Sequence, residues 1–241
     1  MAEKLKVALF DLDHTLLPID SDYAWGVFTT TIGWTDPDSF SRQNDAFFAD
    51  YQAGVLDIHE YVRFATRAAR LQGAQQARQA HERFMREVVQ PALRPQALSL
   101  VRQHQDAGDA VAIVTATNEF VTRPIAKAFG VDDLMAVELV RGPDGWITGE
   151  IDGTPTFREG KVTRVQAWLA ARGRTWADAD ITFYSDSLND LALLEQVQRP
   201  VATNPSPGLR ALAQERGWRI LDLFAEPAAS DSDSDSVSAP I

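Results

Sequence analysis

The sequence predicts an α/β protein: a mostly parallel sheet with helices on both faces, interrupted by an all-helical insertion. Three observations carry this. Short apolar runs at Val7–Phe10, Ala110–Val114 and Ile181–Tyr184 stop abruptly at polar residues, as buried strands do. Amphipathic stretches of helical period separate most of them. Between Pro18 and Pro95 no strand-like run occurs, yet this third of the chain holds 11 of the 22 aromatics.

The elements follow in order. Val7–Phe10 is the first strand. In the insertion, Phe40–Gln52, Ile58–Leu71 and Ala74–Val89 have helical patterning, and Asp20-Ser21-Asp22 reads as a helix cap. Arg94–Gln105 is a helix leading into the strand Ala110–Val114. Glu119–Phe129 follows as a helix and stops at Gly130. Leu134–Val140 and Trp146–Ile151 flank the turn Gly142–Gly145 and are expected to form a hairpin. Gly160–Arg172, Leu188–Gln196 and Gly208–Glu215 complete the helices; Val201–Ala202 and Arg219–Leu221 are weaker strand candidates. The expected organisation is a core domain of residues 1–17 and 95–229, a helical cap of residues 18–94, and a disordered acidic tail of residues 230–241. The connections near Pro18–Asp20 and Pro91–Pro95 are the expected hinges.

Composition excludes several functions. The 241-residue chain has 45% hydrophobic residues and a net charge of −11. Tracking a nucleic-acid backbone or an anionic membrane is not expected of it, so any anion needs a local site. It contains no cysteine, which rules out disulfides, thiolate metal sites and thiol nucleophiles. No apolar run approaches membrane-spanning length, and the expected address is the cytoplasm. Monomer and homodimer are equally compatible with the pattern.

Four short motifs fall at informative places. Asp11-Leu12-Asp13-His14-Thr15 directly follows the first strand, and ligands of open α/β sheets bind at carboxyl strand ends. Two carboxylates one residue apart can divide the work, one as nucleophile and metal ligand, the other moving protons. A turn or helix cap is the plainer reading of either acid taken singly. Thr115 ends the second strand, where its hydroxyl and the loop amides can hold a phosphoryl oxygen or simply start a helix. Lys161 opposes the dipole at a helix start, in a chain with 19 Arg and only 4 Lys. A compact ammonium reaching two acids or a phosphate accounts for both facts; a solvated lysine is the alternative. Ser185-Asp186-Ser187-Leu188-Asn189-Asp190 follows Ile181–Tyr184 and offers hard oxygens suited to Mg²⁺, or a Ser/Asp cap.

Taken in this order, the motifs resemble those of the haloacid dehalogenase superfamily, subfamily IB, and its phosphoserine-phosphatase-like branch. The likeness runs from residue 5 to about residue 224. It implies a Rossmann-like core, a helical cap and Mg²⁺-dependent hydrolysis of a small phosphate ester. Residue by residue, it implies that Asp11 is the nucleophile that becomes an aspartyl-phosphate. Asp13 would protonate the leaving oxygen and then activate water, its main-chain carbonyl touching Mg²⁺. Thr115, with amides near Ala116, would hold a phosphoryl oxygen. Lys161 would bridge Asp11 and the phosphoryl group. Asp186 would ligate Mg²⁺, with Asn189 and Asp190 orienting its loop. Two departures face the substrate: Ser185-Asp186-Ser187 where the branch often has Gly-Asp-Gly, and Ala116-Thr117-Asn118 where a Gly often follows the strand-end hydroxyl.

Asp20 stands where phosphoserine phosphatases place an acid for the substrate amine, and Asp22 is close by. Thr117 and Asn118 are further candidate substrate contacts. Arg63, Arg67 and Arg70 recur at helical spacing and are read either as a solvated face or as partners of a substrate carboxylate. The stretches DLDHTLLPIDSDYAWG, TATNEFVTRPIA and YSDSLNDLALLE are similar to subfamily IB proteins often named histidinol-phosphatases. Histidinol phosphate is therefore the expected substrate. A phosphoserine phosphatase, or a phosphoserine/homoserine-type phosphotransferase, is the alternative. A non-catalytic phospho-aspartate switch is the rival of another class; such receivers lack the acid two residues after the nucleophile, which here is Asp13.

Overall fold

The computed structural model describes residues 3–53 and 55–225. The tail at residues 230–241 and the last residues assigned to the core lie outside that range. Eight strands are described: β1 (Leu5–Phe10), β2 (Ala110–Asn118), β3 (Asp133–Val137), β4 (Leu139–Arg141), β5 (Ile147–Ile151), β6 (Ala179–Ser185), β7 (Arg199–Thr203) and β8 (Arg219–Leu221). Six form one sheet in the order β3-β2-β1-β6-β7-β8, with every neighbouring pair parallel. β4 and β5 pair antiparallel as a separate ribbon. No described helix is long and apolar enough to cross a membrane.

Alternation along the strands builds two cores. Val7 and Leu9 of β1 and Ile181 and Phe183 of β6 face one side. There they meet the helices α8 (Glu159–Ala170), α9 (Leu191–Gln196) and α10 (Pro207–Arg216) through Val165, Leu169, Leu193 and Leu209. Ala8, Phe10, Ile113 and Tyr184 face the other side. That side receives α6 (Pro95–Asp106) and α7 (Glu119–Ala128) through Val101, Val121 and Ile125. The period of two in these strands decides which helix each residue meets.

All the helices between β1 and β2 come from one stretch: α1 (Ser21–Thr31), α2 (Pro37–Ala53), α3 (Ile58–Ala65), α4 (Arg67–Phe84), α5 (Gln90–Ala92) and α6. The stretch expected to be one helix over Ile58–Leu71 is two, because Thr66 turns its hydroxyl onto the Val62 carbonyl at 2.7 Å and serves as the joint. Gly73 kinks α4 with φ of 79° and ψ of 169°, an arrangement open to glycine. One turn of π-helix, Met85–Val89, links α4 to α5. Trp25, Phe28 and Phe84 pack together and onto the sheet side that holds Phe10. Trp25, Phe28 and Phe84 are thus ordinary core.

The hairpin expected from Leu134–Val140 and Trp146–Ile151 is corrected. Residues 133–137 join the main sheet in parallel with β2, and only 139–141 pair with β5. Apolar alternation identifies a strand but not which strand it pairs with. The ribbon packs on the insertion: Arg63 pairs with Glu150 at 3.2 Å, and Arg70 lies over Gly149.

His81 on α4 is buried, and its Nε2–H donates to the Val121 carbonyl at 3.0 Å. Burial pushes its pKa down from 6.5 to about 4, the Val121 bond opposing. The unfolded chain takes up a proton below pH 6.5 that the fold refuses, so stability is lost as pH falls from 6.5 towards 4. Gln at this position keeps an N–H donor without titrating. Native stability relative to His81→Gln is therefore expected to drop across that window, by roughly 3 kcal/mol at most, as read by denaturant unfolding at a series of pH values.

Candidate active site

The candidate residues come from separate elements that end at one edge of the sheet. Asp11 follows β1 directly, and its amide donates to the Tyr184 carbonyl at 2.9 Å, which extends the β1–β6 pairing to the carboxylate. Leu12 N–H donates to Asp11 Oδ1 at 2.8 Å. The chain then turns at His14, with φ of 56°. Asn204 Nδ2, in the loop after β7, donates to the His14 carbonyl at 3.0 Å and holds the turn. His14 is exposed.

Asp13 is held at both oxygens. Oδ1 accepts the Ser21 amide at 2.8 Å and Oδ2 accepts the Thr117 hydroxyl at 2.8 Å. Thr117 comes from an irregularity in β2, where the residues between Val114 and Asn118 have no partner in β3. The interruption lets Thr115, Ala116 and Thr117 curl towards the site; Thr115 Oγ1 accepts the Thr117 amide at 3.2 Å. Asn118 caps α7, and its Nδ2 donates to Asp22 Oδ1 at 3.2 Å. Thr117 and Asn118, expected as substrate contacts, thus have acids as partners in this structure.

Lys161 is reached through a tight backbone approach. A Cβ at Gly160 would stand 2.0 Å from the Pro155 carbonyl oxygen, so only glycine lets the chain enter α8 here. The Lys161 side chain is 2% exposed; Nζ lies 2.7 Å from Asp190 Oδ2 and 3.1 Å from Asp11 Oδ1. Between the two readings of this lysine, the buried ammonium shared by two acids is the one observed. Asp190 also accepts the Ser185 hydroxyl at 2.7 Å. Asp186 accepts the Thr15 hydroxyl at 3.0 Å. Asn189 Oδ1 accepts Arg158 Nε at 3.2 Å. Thr15, Ser21, Ser185 and Arg158 were not singled out as site residues from the sequence. A hydroxyl or a backbone amide gives no signal until the acid it serves is next to it.

The electrostatics follow from burial. Asp11 and Asp190 share one buried ammonium, and Asp13 and Asp186 add their charges around Asp11. Burial, then neighbouring acids, pushes Asp11 well up despite Lys161. Burial and Asp190 push Asp186 up to about 6. Burial and Asp20 push Asp13 up to about 6, opposed by the Ser21 and Thr117 bonds. The two acids hold Lys161 charged against its own burial. Such a surplus of negative charge accommodates a cation. The donors are hard oxygens, matching Mg²⁺, which binds few carboxylates and keeps several waters. Among the described residues no three metal-ligating side chains form a complete cage; two carboxylates and a main-chain oxygen are a sufficient protein share for Mg²⁺.

Comparison with known proteins fits this geometry. Residues 8–195 match the model of the haloacid dehalogenase-like hydrolases. The chain belongs to that family. With it stands the enzyme class expected from the motifs, a phosphoric monoester hydrolase. The chain is 41% identical over 218 residues to a histidinol-phosphatase of Neisseria meningitidis serogroup C, covering 90% of this chain and 98% of that one. A crystal structure of a Bordetella pertussis protein of unknown function is 50% identical, with a TM-score of 0.86, over 92% of this chain and all of the other. A substrate-bound phosphoserine phosphatase matches with a TM-score of 0.62 over 92% and 93% of the two chains. At 16% identity, that last likeness concerns the fold alone.

Asp20 caps α1 by accepting the Tyr23 amide at 2.8 Å, so the cap reading of this acid is correct. Asp22 is 6% exposed, and burial followed by Asp20 and Asp13 pushes its pKa from 3.8 up to about 8. Because the folded value is the higher one, the stability linked to this group is complete below pH 3.8 and is lost as pH rises through 8. Asp22→Asn removes the titration while keeping an oxygen for Asn118. In metal-free buffer the variant is expected to gain on the native protein between pH 5 and pH 8, as measured by denaturant unfolding. An equal difference at both values would show that Asp22 does not titrate in this range.

Proposed function

We propose that this chain is a Mg²⁺-dependent phosphomonoesterase that works through an aspartyl-phosphate on Asp11, with histidinol phosphate as its substrate. The observation that carries the reaction is Lys161, buried between Asp11 and Asp190 with Asp13 two residues from the nucleophile. The likeness to a histidinol-phosphatase supports the substrate.

The chemistry has two steps. An Asp11 carboxylate oxygen attacks phosphorus in line; the Asp11–phosphorus bond forms as the ester oxygen leaves, and Asp13 gives that oxygen a proton. Water then attacks the phosphorus opposite Asp11, Asp13 takes the water's proton, and the Asp11 carboxylate is restored. A carboxyl with a pKa of about 6 suits both halves near neutral pH. The Ser21 and Thr117 bonds keep Asp13 oriented in its anionic form. Lys161 offsets the repulsion between Asp11 and the phosphoryl oxygens, and Thr115 with the Ala116 amide holds one of those oxygens. Asp11, the Asp13 carbonyl and Asp186 are the ligands we assign to Mg²⁺, with Asn189 and Asp190 ordering the Asp186 loop. When bound, the ion neutralises phosphoryl charge and orients the group for attack.

A specific arrangement favours an amino-alcohol phosphate over phosphoserine. Asp13, Asp20 and Asp22 act on one another, and such a cluster attracts an amine and repels a carboxylate. Of the three candidates for a substrate carboxylate, Arg63 and Arg70 turn instead to the ribbon of β4 and β5, while Arg67 lines a cavity that Asp22 also lines. Residues 18–94 would then act as the cap domain that admits the substrate and excludes bulk water.

Phosphate release is the test, with Mg²⁺ present and with histidinol phosphate, phosphoserine and an aryl phosphate compared. We expect histidinol phosphate to lead, a fall of about 10³-fold or more in Asp11→Asn, and loss of activity under a chelator that added Mg²⁺ reverses. Asp13→Asn is expected to accumulate a phosphoryl adduct on Asp11, seen by intact mass. Turnover of the aryl phosphate alone would discard the substrate and keep the mechanism. Full activity in Asp11→Asn would overturn the mechanism.

A further inference from the structure

A cavity of about 310 Å³ lies within the helical insertion, between α1, α2 and the α3–α4 pair. Asp22, Trp34 and the exposed Leu71 line it, as do the charged residues Asp36 and Arg67. The rings of Phe40 and Phe64, stacked 5.6 Å apart, help to form its wall together with Tyr61. None of the phosphoryl-transfer residues lines it. It is nevertheless joined to them in sequence and in space. Asp13 accepts from Thr117, the neighbouring Asn118 donates to Asp22, and Asp22 also interacts with the Tyr61 hydroxyl.

The reaction as derived leaves Asp22 without a task of its own. It is 6% exposed, and no cation is among the groups that act on it. Burial keeps this carboxyl protonated near neutral pH, and an N–H donor or a cation brought beside it would favour its charged form. Packing defects in protein interiors are small and apolar. This one has a volume at the lower edge of small-ligand pockets, aromatic walls and the buried acid Asp22 in its lining, which is the pattern of a site for a flat group that donates N–H.

We propose that this cavity is the subsite for the ring end of the substrate: it takes a planar, nitrogen-bearing ring between aromatic walls, with Asp22 accepting a ring N–H. The inference rests on the function proposed above and adds to it. It separates the two acids, leaving Asp20 to the amine beside the phosphate ester and giving Asp22 to the ring. It also predicts that the ring contributes through binding remote from phosphorus, which enzymes use to raise kcat/KM for the full substrate over a truncated one.

Phosphoethanolamine has the same aminoethyl phosphate as histidinol phosphate and lacks the ring, so the ratio of kcat/KM for the two reads the subsite directly. Ala65 and Ala68 line the cavity; Ala65→Leu and Ala68→Leu fill it without touching the phosphoryl site. In each variant the ratio is expected to fall about tenfold or more, while kcat/KM for phosphoethanolamine stays within about twofold and so reports an intact fold. Free imidazole is expected to inhibit the native enzyme competitively, and less so in the filled variants. A native enzyme that prefers histidinol phosphate and keeps its ratio in both variants would overturn the subsite and leave the function standing. Non-competitive inhibition by imidazole with an unchanged ratio would make the cavity an effector site and also overturn it. A native enzyme inactive on histidinol phosphate would remove the proposed substrate and the subsite together.

Discussion

The arrangement depends on one buried ammonium. Lys161 is withdrawn from water and placed between Asp11 at the end of β1 and Asp190 beyond the end of β6. An uncompensated charge at such depth would be prohibitive, and the two carboxylates turn that cost into a constraint on position. Each acid has its own anchors. The Asp11 amide is bonded to Tyr184 and Asp190 to Ser185, so the lysine joins the two central strands of the sheet and α8 through a single point. The close approach of Gly160 to Pro155 aims the lysine. Little freedom remains for the Asp11 carboxylate, and phosphoryl transfer asks mainly for position and charge.

Around that point the protein sustains more negative charge than its one lysine balances. Asp13 and Asp186 are raised to about 6, each chiefly by burial. Structural acids seldom remain in such surroundings; perturbed carboxylates gathered at strand ends are characteristic of a working site. The same surplus extends outward through Asp20 and Asp22.

The insertion serves the site in two ways. Its aromatic core of Trp25, Phe28 and Phe84 fixes it against the sheet face that carries Phe10. Its first helix supplies groups to the reaction edge: Ser21 to Asp13, Asp20 as cap and neighbour, and Asp22 to Asn118. From α2, the Tyr51 hydroxyl reaches Ser187 at 3.3 Å, a second crossing from insertion to core. Helices remote from the phosphoryl site in sequence are thereby connected to it by hydrogen bonds.

The sequence by itself indicated the parallel sheet and a strand-free helical stretch after the first strand, and it singled out Asp11, Asp13, Lys161 and Asp186, which the fold brings to one place, together with Thr115 at the end of the second strand. Those features are local: apolar runs that end at acids, and a lysine at a helix start where arginine is the chain's habit. Tertiary structure alone decided the remainder. It placed residues 133–137 in the main sheet, because alternation identifies a strand and not its partner. It assigned Thr117, in the irregular part of β2, to Asp13, and Asn118, the cap of α7, to Asp22, partners that lie far away in sequence. It gave Thr15, Ser21 and Ser185 their roles, because a hydroxyl or an amide gains meaning only from the carboxylate that the fold brings beside it. And it set the cavity behind Asp22, a space bounded by four helices whose packing no single stretch of sequence encodes.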